Sequence, residues 1–160
     1  MSDAAELIDA LRRRGWTLGV AESLTGGALS AELVSVPGAS NALLGAVVAY
    51  ATPVKHSLLG VDQTLLDAYG PVHPEVAVQM ASGVRRAVQV AGRPADVGIS
   101  TTGIAGPDSP DGQPVGTVHI GIVTPVAQSV RSFVFDGDRA QVRRSSVDAA
   151  IAAALELVRE

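Results

Sequence analysis

The chain has no cysteine, one lysine, one tryptophan and only 3% aromatic residues among its 160 positions. Without cysteine, disulfides, thiolate metal sites and cysteine nucleophiles are excluded. A net charge of −4 and the scarcity of rings argue against nucleic acid, which is held by a basic face and by stacking. The longest apolar stretches, such as Leu43 to Ala49, are strand-length, far short of the ~20 residues a membrane helix needs. Met1 to Arg14 mixes acids with three arginines and carries no hydrophobic block, so no secretory leader is read and the expectation is a soluble, cytoplasmic protein. His56, His73 and His119 share no ligand spacing and the carboxylates do not cluster, so neither a metal nor a cofactor is expected.

What is present is a sizeable apolar fraction, 47%, in a chain of single-domain length, enough to bury about two-thirds of the surface exposed by the unfolded form. Apolar residues at Ala4, Leu7, Ile8 and Leu11 predict a helix over Ala4 to Arg14, ended by Gly15. Short strands follow over Trp16 to Ala21 and Leu43 to Tyr50, with a helix over Ala28 to Val34 between them. Pro53 to Leu59 reads as a short helix closed by Gly60. Asp62 caps a helix over Gln63 to Tyr69, stopped by Gly70, and Pro74 opens a long helix to Val90. Asp96 to Ser100, Gly116 to Thr124 and Ser129 to Phe135 read as strands, and Asp138 caps a final helix to about Val158. Strands that alternate with helices, then gather, then give way to a closing helix predict an α/β fold, a three-layer α/β/α sandwich with a mixed central sheet, in one domain spanning 1–160.

Two strands run into turns of hydroxyls and glycines, Glu22-Ser23-Leu24-Thr25-Gly26-Gly27 and Ser100-Thr101-Thr102-Gly103-Ile104-Ala105-Gly106. Such turns let the backbone approach a bound group and aim free N–H donors at it, so they suggest a pocket for an anionic or oxygen-rich small molecule. Equally, the glycines could serve packing alone. Open α/β sheets bind ligands beyond the C-terminal ends of their strands, where Tyr50, Lys55 and Arg139 also fall. Lys55 is the only side-chain amine; burial would let it act as a base toward a serine such as Ser40, with Tyr50 as relay, although a lysine snorkelling at the surface fits the spacing as well. Arg139 opens the last helix, where it could meet a phosphate or simply face solvent.

Taken in order, Ala21-Glu-Ser-Leu-Thr-Gly-Gly, Gly38-Ala-Ser40, Tyr50 with Lys55, Gly70-Pro-Val, Thr102-Gly-Ile-Ala-Gly-Pro and Pro114-Val-Gly-Thr resemble the CinA C-terminal domain family, whose enzymatic members are nicotinamide-nucleotide amidohydrolases. The resemblance runs from about Glu6 to the last helix. It implies cleavage of the carboxamide of nicotinamide mononucleotide to the acid and ammonia, with Ser40 as nucleophile and Tyr50 and Lys55 completing a Ser-Tyr-Lys set. Backbone N–H groups of the Gly38 turn would then receive the oxyanion. It further implies that Glu22, Ser23, Thr25, Gly26, Gly27, Thr101, Thr102, Gly103, Gly106 and Arg139 hold the substrate. His73, Thr52-Pro53 and Leu24 depart from the residues usual in the family. Many relatives fuse this domain to another; here the expectation is the stand-alone form, associating with itself as a homo-oligomer, most simply a dimer. The alternatives are a non-catalytic nucleotide-binding module on the same fold and an amidase for another small phosphorylated amide.

Overall fold

The computed structural model describes residues 1–160. A five-stranded mixed sheet carries helices on both faces. In chain order the elements are α1 (Asp3–Arg14), β1 (Leu18–Glu22), α2 (Ala28–Val34), β2 (Leu43–Val48), α3 (Thr52–Ser57), α4 (Gln63–Tyr69), α5 (Pro74–Ala87), β3 (Val97–Gly103), β4 (Thr117–Val123), β5 (Gln128–Val134) and α6 (Arg139–Arg159). The expected three-layer architecture is therefore present. The helix expected to run to Val90 stops earlier, since Val88 leaves helical geometry. One turn of 3₁₀ helix over Ala39–Asn41 escapes the sequence pattern, because three residues leave no periodicity to read.

Strand order is β2-β1-β3-β4-β5. β1 runs parallel to both β2 and β3, whereas β4 and β5 complete the sheet antiparallel. α1, α2 and α6 cover one face and enclose the larger core, which includes Leu7, Leu11, Val20, Leu29, Ile99, Ile120 and Leu155. α5 covers the other face, and a smaller cluster of Leu59, Val61, Leu66, Val76, Met80 and Val84 joins it to the chain around α3 and α4. Enclosure from both sides explains why β1 and β4 are buried along their whole lengths. No helix is long and apolar enough to cross a membrane.

This topology positions the site. The chain leaves β1 to one side for β2 and returns on the other side for β3, so β1 stands at the topological switch point. The C-terminal ends of β1, β2, β3 and β5 and the start of α6 all lie at the same end of the sheet.

Candidate active site

At that end lies a cleft of about 220 Å³. Its walls come from the segments after β1, β2 and β3, from Pro71 and Val72 before α5, and from Arg139 on α6. The side chain that organises it is Lys55. The single lysine is not snorkelling: it lies on α3 with only 1% of its surface exposed. Its Nζ is 2.9 Å from Ser23 Oγ and donates to the carbonyls of Ala49, at 2.7 Å, and Tyr50, at 3.3 Å. Burial with no carboxylate partner disfavours the ammonium and pushes the pKa of Lys55 down to about 8. In its neutral form, the two N–H bonds can stay on the two carbonyls while the lone pair faces the Ser23 hydroxyl.

Ser23 is thus the hydroxyl that meets the lysine, and the expected pairing of Ser40 with Lys55 is corrected. Ser40 precedes β2 while Lys55 follows it, and the six-residue strand separates their ends by roughly 20 Å. Ser40 instead lines a separate cavity with Val34, Val36, Pro37, Leu43 and Leu44, none of whose lining residues is ionisable. The Gly38 turn, expected to supply oxyanion donors, lies there too.

Tyr50 lines the cleft with 62% of its surface exposed. Its hydroxyl accepts from Arg139 Nη2 at 3.3 Å, and Arg139 Nη1 donates to the carbonyl of Gly106 at 2.7 Å. Arg139 therefore bridges the segments that follow β2 and β3, with its charge at the rim. Thr102, Gly103 and Gly106 line the cleft, and the Thr102 hydroxyl donates to the carbonyl of Pro71 at 2.7 Å.

Five expected binding residues have other work. Glu22 is fully buried, and its carboxylate accepts from the backbone N–H groups of Leu29 and Ser30 and from the Ser30 hydroxyl, which ties the first turn of α2 to the end of β1. Thr25 and Thr101 join their hydroxyls at 2.8 Å inside the protein and hold the β1 turn against β3. Gly26 and Gly27 take φ of 58° and 104°, which a side chain would resist, and so allow the turn to enter α2; neither lines the cleft.

Residues that sequence reasoning missed also line the cleft: Leu24, Val72, Ile104, Ala105, Pro110 and Asp108, the last an exposed carboxylate facing the same opening as Arg139. The second motif, Thr102-Gly-Ile-Ala-Gly-Pro, is the signal that could have found some of them. The backbone N–H groups of Leu24, Ala105 and Gly106 donate to no atom of the chain. A buried serine–lysine pair, residues with unspent backbone donors and a rim cation therefore line one small opening, an arrangement suited to acyl transfer.

The profile of the CinA C-terminal domain matches residues 2–158. The chain belongs to the CinA C-terminal domain family. It is 47% identical over 149 residues to a CinA-like protein of Frankia casuarinae, covering 93% of this chain and 32% of that one. It is 41% identical over 155 residues to a putative competence-damage inducible protein of Bacillus pumilus, covering 97% and 36%. The chain thus spans about a third of the length of these curated relatives. The crystal structure of the competence damage-inducible protein A from Klebsiella pneumoniae subsp. pneumoniae superposes with a TM-score of 0.90 at 33% identity, covering 99% of this chain and 96% of that one. A CinA superfamily protein from Escherichia coli superposes with a TM-score of 0.85 at 31% identity, covering 99% and 91%. These two crystal structures share the fold over essentially the whole of the present chain.

Proposed function

We propose that this CinA domain is an amidohydrolase that cleaves the carboxamide of a small phosphorylated compound, with nicotinamide mononucleotide as the substrate, and that Ser23 is its nucleophile. The observation that carries the reading is the 2.9 Å contact between Ser23 Oγ and the buried Lys55 Nζ. Neutral Lys55 takes the Ser23 proton as Oγ attacks the amide carbon. The protonated lysine then gives that proton to the departing nitrogen, the C–N bond breaks and ammonia leaves an ester on Ser23. Water, deprotonated by Lys55, attacks the ester, and the Ser23 oxygen leaves with the proton returned from the lysine. The net change is amide plus water to carboxylic acid plus ammonia.

The free N–H groups of Leu24, Ala105 and Gly106 are the donors available to the oxyanion. Arg139 is the cation for the phosphate, and Tyr50, whose hydroxyl Arg139 holds, fixes the substrate over Ser23. Release of ammonia from nicotinamide mononucleotide tests the reading. Wild type and Ser40→Ala are expected to be active, and Ser23→Ala and Lys55→Ala to lose at least a thousandfold in kcat, roughly the scale seen when a nucleophile–base unit is broken. An active Ser23→Ala variant, or an inactive folded wild type, would refute it.

A further inference from the structure

Arg143 lies one helical turn beyond Arg139 on α6, and its guanidinium grips the turn that carries Ser23. Nε donates to the carbonyl of Leu24 at 2.9 Å and Nη2 donates to the carbonyl of Thr25 at 3.0 Å. Neither contact reaches the cleft, and Arg143 does not line it. The consequence lies in the peptides beyond those carbonyls. The Thr25 carbonyl belongs to the same planar unit as the Gly26 N–H, and that N–H donates to the Ser23 carbonyl at 3.1 Å. The Ser23 carbonyl in turn belongs to the same unit as the Leu24 N–H, which has no acceptor within the chain. Because trans peptides hold N–H and C=O on opposite sides, each carbonyl turned toward Arg143 turns its N–H the other way.

The atoms form a single file: Arg143 guanidinium, Thr25 carbonyl, Gly26 N–H, Ser23 carbonyl, Leu24 N–H. Hydrogen bonds in such a file polarise one another in the same sense, and the head of this one is a fixed positive charge. Its tail is a free donor on the residue immediately after the proposed nucleophile. Leu24 also lines the cleft beside Ser23.

We propose that Arg143 is a positioning residue for the oxyanion: it aims and polarises the Leu24 N–H toward the negative charge that develops when Ser23 attacks. The proposal rests on the amidohydrolase reading of the site. Arg143 touches no substrate, so its effect falls on the transition state rather than on binding.

The test compares wild type with Arg143→Gln, Arg143→Ala and Arg143→Lys, using two readouts: steady-state ammonia release from nicotinamide mononucleotide, and the rate at which an alkyl fluorophosphonate labels Ser23. Labelling also builds negative charge on an oxygen at the attacked centre, and it needs no amide substrate. Melting temperatures accompany both readouts. Removing an oxyanion donor outright costs about a hundredfold to a thousandfold in kcat. A donor left in place but released is expected to cost about tenfold to a hundredfold. Arg143→Gln should show that loss in kcat and in labelling rate, with KM within threefold of wild type. Arg143→Lys, which keeps a charge near one carbonyl, should lose less, and added guanidinium should restore part of the activity of Arg143→Ala. A kcat within twofold of wild type in Arg143→Gln would overturn the proposal. So would a loss in kcat matched by an equal rise in KM, or one that neither lysine nor guanidinium relieves, since those mark a packing role. If wild type labels at Ser23 but releases no ammonia, the substrate reading fails while the labelling ratios still decide Arg143. If wild type does neither, both proposals fall.

Discussion

At the scale of single residues, everything about this site turns on an amine with almost no water around it. Lys55 is charged in both folded and unfolded chains below about pH 8, and a charged lysine cannot take a proton from Ser23. At pH 7 only about a tenth of the sites hold the neutral form, a fraction that follows from a pKa of about 8. The expected profile of kcat/KM therefore rises about tenfold from pH 7, levels off above pH 8 to 9, and has its inflection near 8. A profile flat from pH 6 to 9 would remove Lys55 from the role of base. The lysine and the tyrosine are both legible in the sequence, as a lone amine and a phenol that follow a strand. The serine is not. Ser40 and Ser23 are similarly placed relative to Lys55 on paper, each next to a glycine turn. The strand limits put Ser23 after β1 and Ser40 before β2, and the parallel pairing of β1 with β2 brings Ser23, not Ser40, to the end of the sheet where Lys55 follows β2. The rule that such sheets bind ligands beyond their C-terminal ends, applied strictly, already disfavours Ser40.

At the scale of elements, the cleft depends on how closely α5 lies on the sheet, because Pro71 and Val72, which wall the cleft, lead directly into that helix. Two glycines permit the approach. A Cβ on Gly98 of β3 would stand 1.8 Å from the Ala81 carbonyl, and one on Gly121 of β4 would stand 2.3 Å from the Ala77 carbonyl. Neither carbonyl can step aside without the helix, and the Ala77 carbonyl also accepts from the Ser100 hydroxyl. Gly98→Ala is expected to cost roughly 3 kcal/mol, at the upper end for inserting atoms into a packed core. For a domain of this size that lowers the melting temperature by roughly 6–12 °C. Calorimetry checks it; a loss under 2 °C would mean that α5 can float. Sequence patterns locate most helices because their ends are chemically marked, as with Asp62 and Gly70 around α4, where the structure shows the expected cap. They cannot show that Glu22, one residue from Ser23, is spent on tying down α2, because a carboxylate in a glycine turn looks the same whether it faces ligand or backbone. α6 begins with a reciprocal cap. Asp138 accepts from the Gln141 N–H and the Gln141 side chain accepts from the Asp138 N–H, which fixes the first turn of α6, from which Arg139 reaches the cleft, just ahead of the turn from which Arg143 reaches the Ser23 turn. Asp138→Ala is expected to cost about 1 kcal/mol of stability. Because Arg139 hangs from this turn and Arg143 from the next, kcat should fall by more than that stability loss would suggest. Urea unfolding measured beside turnover at a temperature well below melting separates the two effects, and unchanged turnover would show that the arginines are held by their own contacts alone.

For the whole molecule, the buried amine of Lys55 is a burden on folding, and its size can be read from pH. Unfolded, a lysine loses its proton near pH 10.5; folded, Lys55 does so near 8. Between those values the unfolded chain binds more protons than the folded one, so stability must rise with pH across that window. Below 8 the ammonium is buried at a cost, and above 10.5 the amine is neutral in both states. The full difference, about two and a half pKa units, corresponds to about 3 kcal/mol. Other groups titrate in the same range, but they do so equally in a Lys55→Met variant, whose side chain fills similar space without a charge. The stability of wild type minus that of Lys55→Met, from urea unfolding at pH 7, 8, 9 and 10.5, is therefore expected to be flat to pH 8 and then to climb by about 3 kcal/mol. A difference that stayed level would mean that water reaches the amine, and the neutral base on which the proposed chemistry depends would no longer have its cause.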